Sequence, residues 1–558
     1  MKKTTKIVIL VFLIAIILKF ALSFLVNNPI AFSDDYTYIK LARNIFYFNT
    51  FSVNSQNPLY YPPLYPLILS FTYLVKDMNL IFVLMKLINS IISSLIIFPI
   101  FLLAREFLDE RETIILTIIT ALLPYNILFS NVIMAENLFY PLVLFSIYFI
   151  YKSFTTKKIT YDILAGIFIS LSYLTKTLGL GLIFVVLIPF LYKLIKGNYY
   201  EIKKKIVMAV FFILVSLPWF IRNFELFGFS LGLFAGGYPT TKITTAISST
   251  NYLTLIGWFF VYLGYLIISS AIIFFVFNLS FIKNASEKRE KILSLIVISS
   301  IFSFLIIASM HHINAIADSL TNLFFLRGRP LGRYIEFLTP LIIIGAFIGF
   351  KKRNLKFEKT ALIILTALAA VVISQLIYYQ LFPVNTISLS LVGGITYIIG
   401  TNLSSFLLPL LLIFLAVFVF IISKIKINYL VYVFITLMML TSLIGYSAML
   451  KQSGDWSKNP QIHLGEFLND NKISNILIDR NNCIEKLTKT TTNEGICDYE
   501  HDITIIGLKT NDNILIDFPS EQNLKNNDFL ISKEQYSYKI VKEENKIYIY
   551  SLKDPELK

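Results

Sequence analysis

Two adjacent carboxylates, Asp34 and Asp35, open the first long polar stretch of an otherwise strongly apolar sequence. That stretch, Phe32 to Pro66, closes in a proline- and tyrosine-rich turn, YYPPLYP. A carboxylate placed beside a membrane is a candidate general base, able to take the proton of an attacking hydroxyl. SDDYTYIKLARNIFYF has the apolar spacing of an amphipathic interfacial helix, which puts Ser33, Asp34 and Asp35 at its N-cap. One carboxylate can cap the helix and meet the positive end of its dipole. Two adjacent positions project in different directions, so the second is free for a cavity.

Further ionisable residues recur at the same ends of apolar segments. Glu136 lies among apolar residues in NVIMAENLFYPLVLF, where an acid is costly and therefore a functional candidate, or else a partner for the helix dipole. RGRPLGRYIEFLTPL brings Arg327, Arg329 and Arg333 just before a span, with Tyr334 beside the last. Arginine suits bidentate phosphate recognition, although the same residues could snorkel to headgroups. Lys176 in YLTKTLGL and Arg222 in LPWFIRNFELFG are further cations of this kind. Tyr61 and Tyr65 could stack on a sugar, but an aromatic interfacial belt fits them better. Pro62 and Pro63 keep Tyr61 extended, and Pro66 suits the first turn of a following helix. His311 and His312 share no helical face and make a poor metal motif alone. With Glu136 or a first-loop aspartate they could complete a divalent site.

The elements that must carry these residues are membrane spans. The chain of 558 residues is 56% hydrophobic and only 15% charged, and its mean hydropathy is +0.71. No water-soluble fold could hide so much apolar surface. The net charge of +15 does not indicate nucleic acid, because the cations sit in short clusters between apolar runs with no stacking stripe. Hydropathy predicts about thirteen transmembrane helices, near 7–26, 80–103, 113–130, 134–151, 162–175, 178–195, 205–221, 253–282, 292–310, 336–350, 360–382, 404–423 and 429–449. The first run is too long for a signal-peptide core and reads as an uncleaved span. Connections assigned to the inner side hold 24 Lys+Arg, and the outer loops before the tail hold 9. That bias places the N-terminus in the cytoplasm and the long loops, including 27–79, outside a cell membrane. No fixed-period repeat suggests an inverted-repeat transporter.

From about residue 450 the character changes. The tail carries 14 Lys+Arg against 18 Asp+Glu. A helix is expected around 460–470, then strands at 475–479, 503–508 and 513–518 and a final hairpin turning at EEN. The expected architecture is an α-helical polytopic membrane domain, 1–449, followed by a small α/β extracytoplasmic domain, 450–558. Cys483 and Cys497, both in this tail, could form a disulfide or stay as thiols.

An ordered set of motifs carries a family resemblance. DDYTYIKLARNI, YPPLYPLILS, AENLFYPLVLFSIY, AGIFISLSYLTKTLGL, LPWFIRNFELFG and GRYIEFLTPLIII follow one another across most of residues 1–345. The chain resembles the GT-C glycosyltransferases, in the branch of protein O-mannosyltransferases and lipid A aminoarabinose transferases. The resemblance implies a polyprenyl-phosphate sugar donor, an active site under the first outer loop and an essential acid there. That acid maps to Asp34 or Asp35, with Asp35 preferred as the base. The mannosyltransferases carry Asp-Glu at this pair, where this chain has Asp-Asp. The Trp-Trp-Asp motif of oligosaccharyltransferases is absent, and Asp455–Trp456 does not supply it. The expected reaction moves a monosaccharide onto an acceptor hydroxyl with inversion, the outer arginines meeting the leaving phosphate. No cofactor is implied with certainty, and a divalent metal stays possible. The acceptor could be protein, lipid or glycan, and the other partner is the bilayer. A lipid-linked-sugar flippase and a non-catalytic component of surface-polysaccharide assembly are the alternatives.

Overall fold

The computed structural model describes residues 3–26, 32–53, 61–236, 252–311, 330–352, 355–376 and 427–479, and in the tail 507, 509–510, 514–544 and 546–555. His312, Arg327, Arg329, the expected span 404–423, most of the expected strand 503–508, Cys483 and Cys497 lie outside them.

Among the described residues seven helices are long and apolar enough to cross a membrane, and two bent pairs raise this to nine. The chain is therefore a multi-pass membrane protein. The expected thirteen are not all matched. The segments near 162–175 and 336–350 form helices Thr160–Thr175 and Thr339–Lys351, of 16 and 13 residues, short of the roughly 20 needed to span. The segment 253–282 is not one continuous helix but one of the two bent pairs. Its helices Tyr252–Ser269 and Ile273–Asn284 meet at 105°, with Ala271 and Ile272 at positive φ. No glycine or proline marks this break. Ser269 and Ser270 donate their hydroxyls back to the carbonyls of Tyr265 and Leu266, a pairing that competes with the helix ladder.

In chain order the first helices are α1 (Lys3–Ser23), α2 (Phe32–Phe48), α3 (Leu64–Ser70), α4 (Met78–Ser94), α5 (Ile97–Ala104), α6 (Glu110–Leu122), α7 (Pro124–Leu128), α8 (Glu136–Thr155), α9 (Thr160–Thr175), α10 (Leu182–Ile195) and α11 (Tyr200–Phe227). α8 is buried along most of its length. α1 and α11 expose Leu13, Ile14 and Ile17, and Ile213, Leu214 and Leu217. Such apolar faces belong in lipid. Gly345 and Gly349 let helix Thr339–Lys351 press onto Ile273–Asn284, where added Cβ atoms would collide with Asn278 and the Phe277 carbonyl. This is small-residue packing at helix–helix spacing.

The first loop folds back on the bundle. Tyr38, Tyr65, Leu69 and Tyr73 of α2, α3 and the turn after α3 share one buried cluster with Met85 of α4 and Leu138 and Leu142 of α8. Ile462, from the tail helix Pro460–Asp470, completes the same cluster.

The tail sheet has the order β2-β1-β3-β5-β4, from β1 (Ile476–Asp479), β2 (Ile514–Asp517), β3 (Phe529–Ser532), β4 (Tyr538–Glu544) and β5 (Ile547–Pro555). β1 pairs in parallel with both β2 and β3, and β5 runs antiparallel to β3 and β4. The hairpin forms at the expected turn. Among the described residues, the strand not expected is β3, FLIS.

Candidate active site

α2 begins at Phe32, so Asp34 and Asp35 both lie in its first turn and neither is its cap. Their environments differ. Asp35 is fully buried, whereas the Asp34 side chain is 27% exposed. Asp34 Oδ1 accepts from the Tyr61 hydroxyl at 2.8 Å. Its Oδ2 accepts from Arg333 at 3.2 Å. The same guanidinium turns its Nε toward Glu136 Oε1 at 3.5 Å. Glu136 is nearly fully buried at the start of α8 and also accepts a hydrogen bond from Lys176 Nζ. Lys176 stands in the extended break after α9 and lies 4.6 Å from the centre of the Tyr334 ring, as a cation over a π face.

Four segments far apart in sequence thus build an alternating chain of charge, Asp34, Arg333, Glu136 and Lys176. Burial alone would lower the Arg333 value, but the carboxylates of Glu136 and Asp34 reverse this and hold it above the ordinary arginine value. Burial pulls the Lys176 ammonium below its usual value, and Glu136 offsets part of that. Burial, and then the Asp34 charge, raise the Tyr61 hydroxyl well above the tyrosine range, so it stays a donor. A carboxylate has about four acceptor positions, so Asp34 keeps room for a further hydroxyl.

Tyr65 is fully buried, donates to Asn89 at 2.9 Å and packs edge-on against Tyr38, away from any lipid-facing belt. Arg222 is set among the rings of Trp219 and Phe51 on α11 and its neighbours. His311 packs edge-on against Tyr334 at 5.4 Å. Among the described residues no three His, Cys, Asp or Glu side chains are grouped to hold a metal ion. Glu136 accepts from Lys176 and lies within ion-pair distance of Arg333.

Residues that the sequence did not single out complete the surroundings. Tyr140 donates to the Arg333 carbonyl at 2.8 Å. Asn89 and Asn137 tie down the irregular backbone before α8 through the carbonyls of Val132 and Met134. Their signal was available, since an amide inside a span asks for a partner. A cavity of about 600 Å³ opens elsewhere, between α1, α6 and helix Ile427–Trp456. It is lined chiefly by isoleucines and lies by Thr4 and Glu110, at the opposite end of α1 from the charge chain.

Residues 60–221 match the dolichyl-phosphate-mannose-protein mannosyltransferase family. No curated protein sequence matches the chain. Among solved structures, ArnT from Cupriavidus metallidurans in the apo state aligns over 99% of this chain and 98% of its own, at 12% identity and a TM-score of 0.55. ArnT bound to undecaprenyl phosphate aligns over the same shares, at 12% identity and a TM-score of 0.56. The archaeal oligosaccharyltransferase AglB from Archaeoglobus fulgidus, in complex with an inhibitory peptide and a dolichol-phosphate, aligns over 94% of this chain and 69% of its own. Its identity is 13% and its TM-score 0.39, too loose to define a shared fold. The helical bundle with its small sheet domain thus has the fold of ArnT, and residues 60–221 within it are similar to the mannosyltransferase family.

Proposed function

We propose that this protein is a membrane glycosyltransferase that moves a monosaccharide from a polyprenyl-phosphate donor to an acceptor hydroxyl on the outer face of the membrane. The observation that carries the reading is the charge chain. It places a carboxylate able to accept a proton next to two cations able to receive a phosphate. The difference in exposure between the two first-loop acids supports Asp34, rather than Asp35, as the base. In the step, the acceptor oxygen attacks the anomeric carbon while Asp34 takes its proton. The bond from that carbon to the phosphate oxygen breaks, and the lipid phosphate leaves with the electron pair. Arg333 and Lys176 balance its charge. The lipid phosphate is already a good leaving group, so no second carboxylate is needed as acid, unlike glycoside hydrolysis. A single displacement inverts the anomeric centre. The charge bias of the loops supports an outward-facing site.

Transfer from a polyprenyl-phosphate sugar, followed with the full chain in membranes, tests this. Asp34→Asn is expected to abolish transfer while the amount of folded protein stays normal. Asp35→Asn reports on the neighbouring acid in the same assay. Full transfer by the double Asn variant overturns the reading, and donor translocation without bond cleavage points to a flippase.

A further inference from the structure

Arg333 sits in an irregular turn and not in a regular helix. Its turn consists of two 3-10 segments, Gly332–Tyr334 and Glu336–Leu338, of three residues each. Within the turn the backbone closes only single 3-10 steps, from Tyr334 N–H to the Leu331 carbonyl at 3.0 Å, Ile335 N–H to Gly332 at 2.9 Å and Leu338 N–H to Ile335 at 3.0 Å. The turn is fixed from outside by three tyrosine hydroxyls. Tyr262 accepts from the Leu331 backbone N–H at 2.9 Å. Tyr140 donates to the Arg333 carbonyl at 2.8 Å. Tyr265 donates to Glu336 Oε1 at 2.5 Å. All three are almost completely buried, as is Glu336. Tyr262 and Tyr265 share one face of helix Tyr252–Ser269, and Tyr140 follows Glu136 by one turn on α8, as their three- and four-residue spacings require. Gly332 is the complement, because any Cβ there would collide with the Tyr265 hydroxyl.

We propose that Tyr140, Tyr262 and Tyr265 are positioning residues that aim Arg333 at the donor phosphate. The inference rests on the glycosyltransferase reading for the identity of the phosphate, not for the geometry. A tyrosine that only fills the core would tolerate loss of its hydroxyl with no effect on Arg333. A positioning tyrosine would not, since a displaced charge costs catalysis steeply even when nothing else moves.

The test uses Tyr265→Phe, which keeps the ring and removes one oxygen, with Tyr262→Phe as a second variant. Both are compared with wild type in the full chain, alone and combined with Arg333→Lys. Each Phe variant is expected to lower kcat about tenfold, with KM for the acceptor within about twofold. In the Arg333→Lys background the same change is expected to add less than about twofold, because the group it aims is already gone. Binding of a polyprenyl phosphate without sugar, measured on the same preparations, is expected to weaken in the same non-additive pattern. The binding arm needs no transfer. If wild type fails to transfer yet shows that pattern, the function reading fails and this inference stands. Tyr265→Phe and Tyr262→Phe with wild-type phosphate binding, or losses that multiply with Arg333→Lys, overturn it.

Discussion

An arginine can serve two carboxylates at once because its planar fork carries donors on separate edges. Arg333 uses that property, with NH1 toward Asp34 and Nε toward Glu136. A lysine carries all its donors on one nitrogen and lacks the rigid fork that aims them along two separate edges. Arg333→Lys is therefore expected to lower kcat/KM by about 10²-fold, the scale of losing one preorganised donor. Steady-state transfer assays on equal amounts of monodisperse protein would check it, and near-wild-type activity would remove Arg333 from the chemistry. At this scale much was legible. Asp34, Glu136, Lys176 and Arg333 each stood out as an ionisable group at a span end. Their mutual pairing was not, because it joins residues separated by up to 299 positions. The division of labour between Asp34 and Asp35 was also hidden. The helix starts two residues before Asp34, so exposure, not capping, distinguishes the two acids.

Elements position these residues, and α8 carries the most. Its N-terminus presents Glu136, and its other end is held by lysines from α10 and α11. Lys193 donates to the Phe154 carbonyl at 3.0 Å, and Lys204 donates to those of Ser153 and Thr156. Cations on the last carbonyls of a helix satisfy its open acceptors and its dipole. The lysines are balanced in turn by Asp162, 2.8 Å from Lys205 and 3.6 Å from Lys204, and by Glu201. From sequence, KGNYYEIKKK reads as a positive-inside signal and nothing more, since Asp162 belongs to a different connection. The structure makes it an anchor as well. Removing one partner of a buried ion network costs roughly 3–5 kcal/mol. Asp162→Asn is thus expected to lower the thermal unfolding midpoint markedly in detergent, with unchanged donor contacts in Asp34, Arg333 and Lys176. An unaltered melt would show that α8 is held by packing alone. The helices themselves were legible wherever an apolar run was long. The break at Ala271 and Ile272 was not, because no glycine or proline stands there and the serines before it back-bond as other hydroxyl residues do within continuous helices.

Across the whole molecule, the tail and the first loop meet at one end of the bundle. Lys40 of α2 donates to the Thr510 carbonyl at 2.9 Å, with both residues nearly fully buried. Asn469 of the tail helix accepts from the Met78 N–H at 3.4 Å, at the start of α4. Ile462 belongs to the same buried cluster as Tyr36, Tyr38 and Ile39 of the helix that carries Asp34. Composition marked the tail as a separate unit by its change of charge sign, but it could not show that this unit closes the hydrophobic cluster of the loop. α2 is an amphipathic helix of 17 residues, and most of the stability of such a helix comes from the packing of its apolar face. Burying Ile462 contributes to that order, and truncating a buried isoleucine to alanine typically costs about 2–5 kcal/mol. If the tail holds the loop, Ile462→Ala should speed amide hydrogen exchange in Phe32–Phe48 together with Pro460–Asp470, while α8 and α11 keep their protection. Faster exchange confined to the tail helix would mean that the sheet domain rides on the bundle without steadying the helix that bears the proposed base.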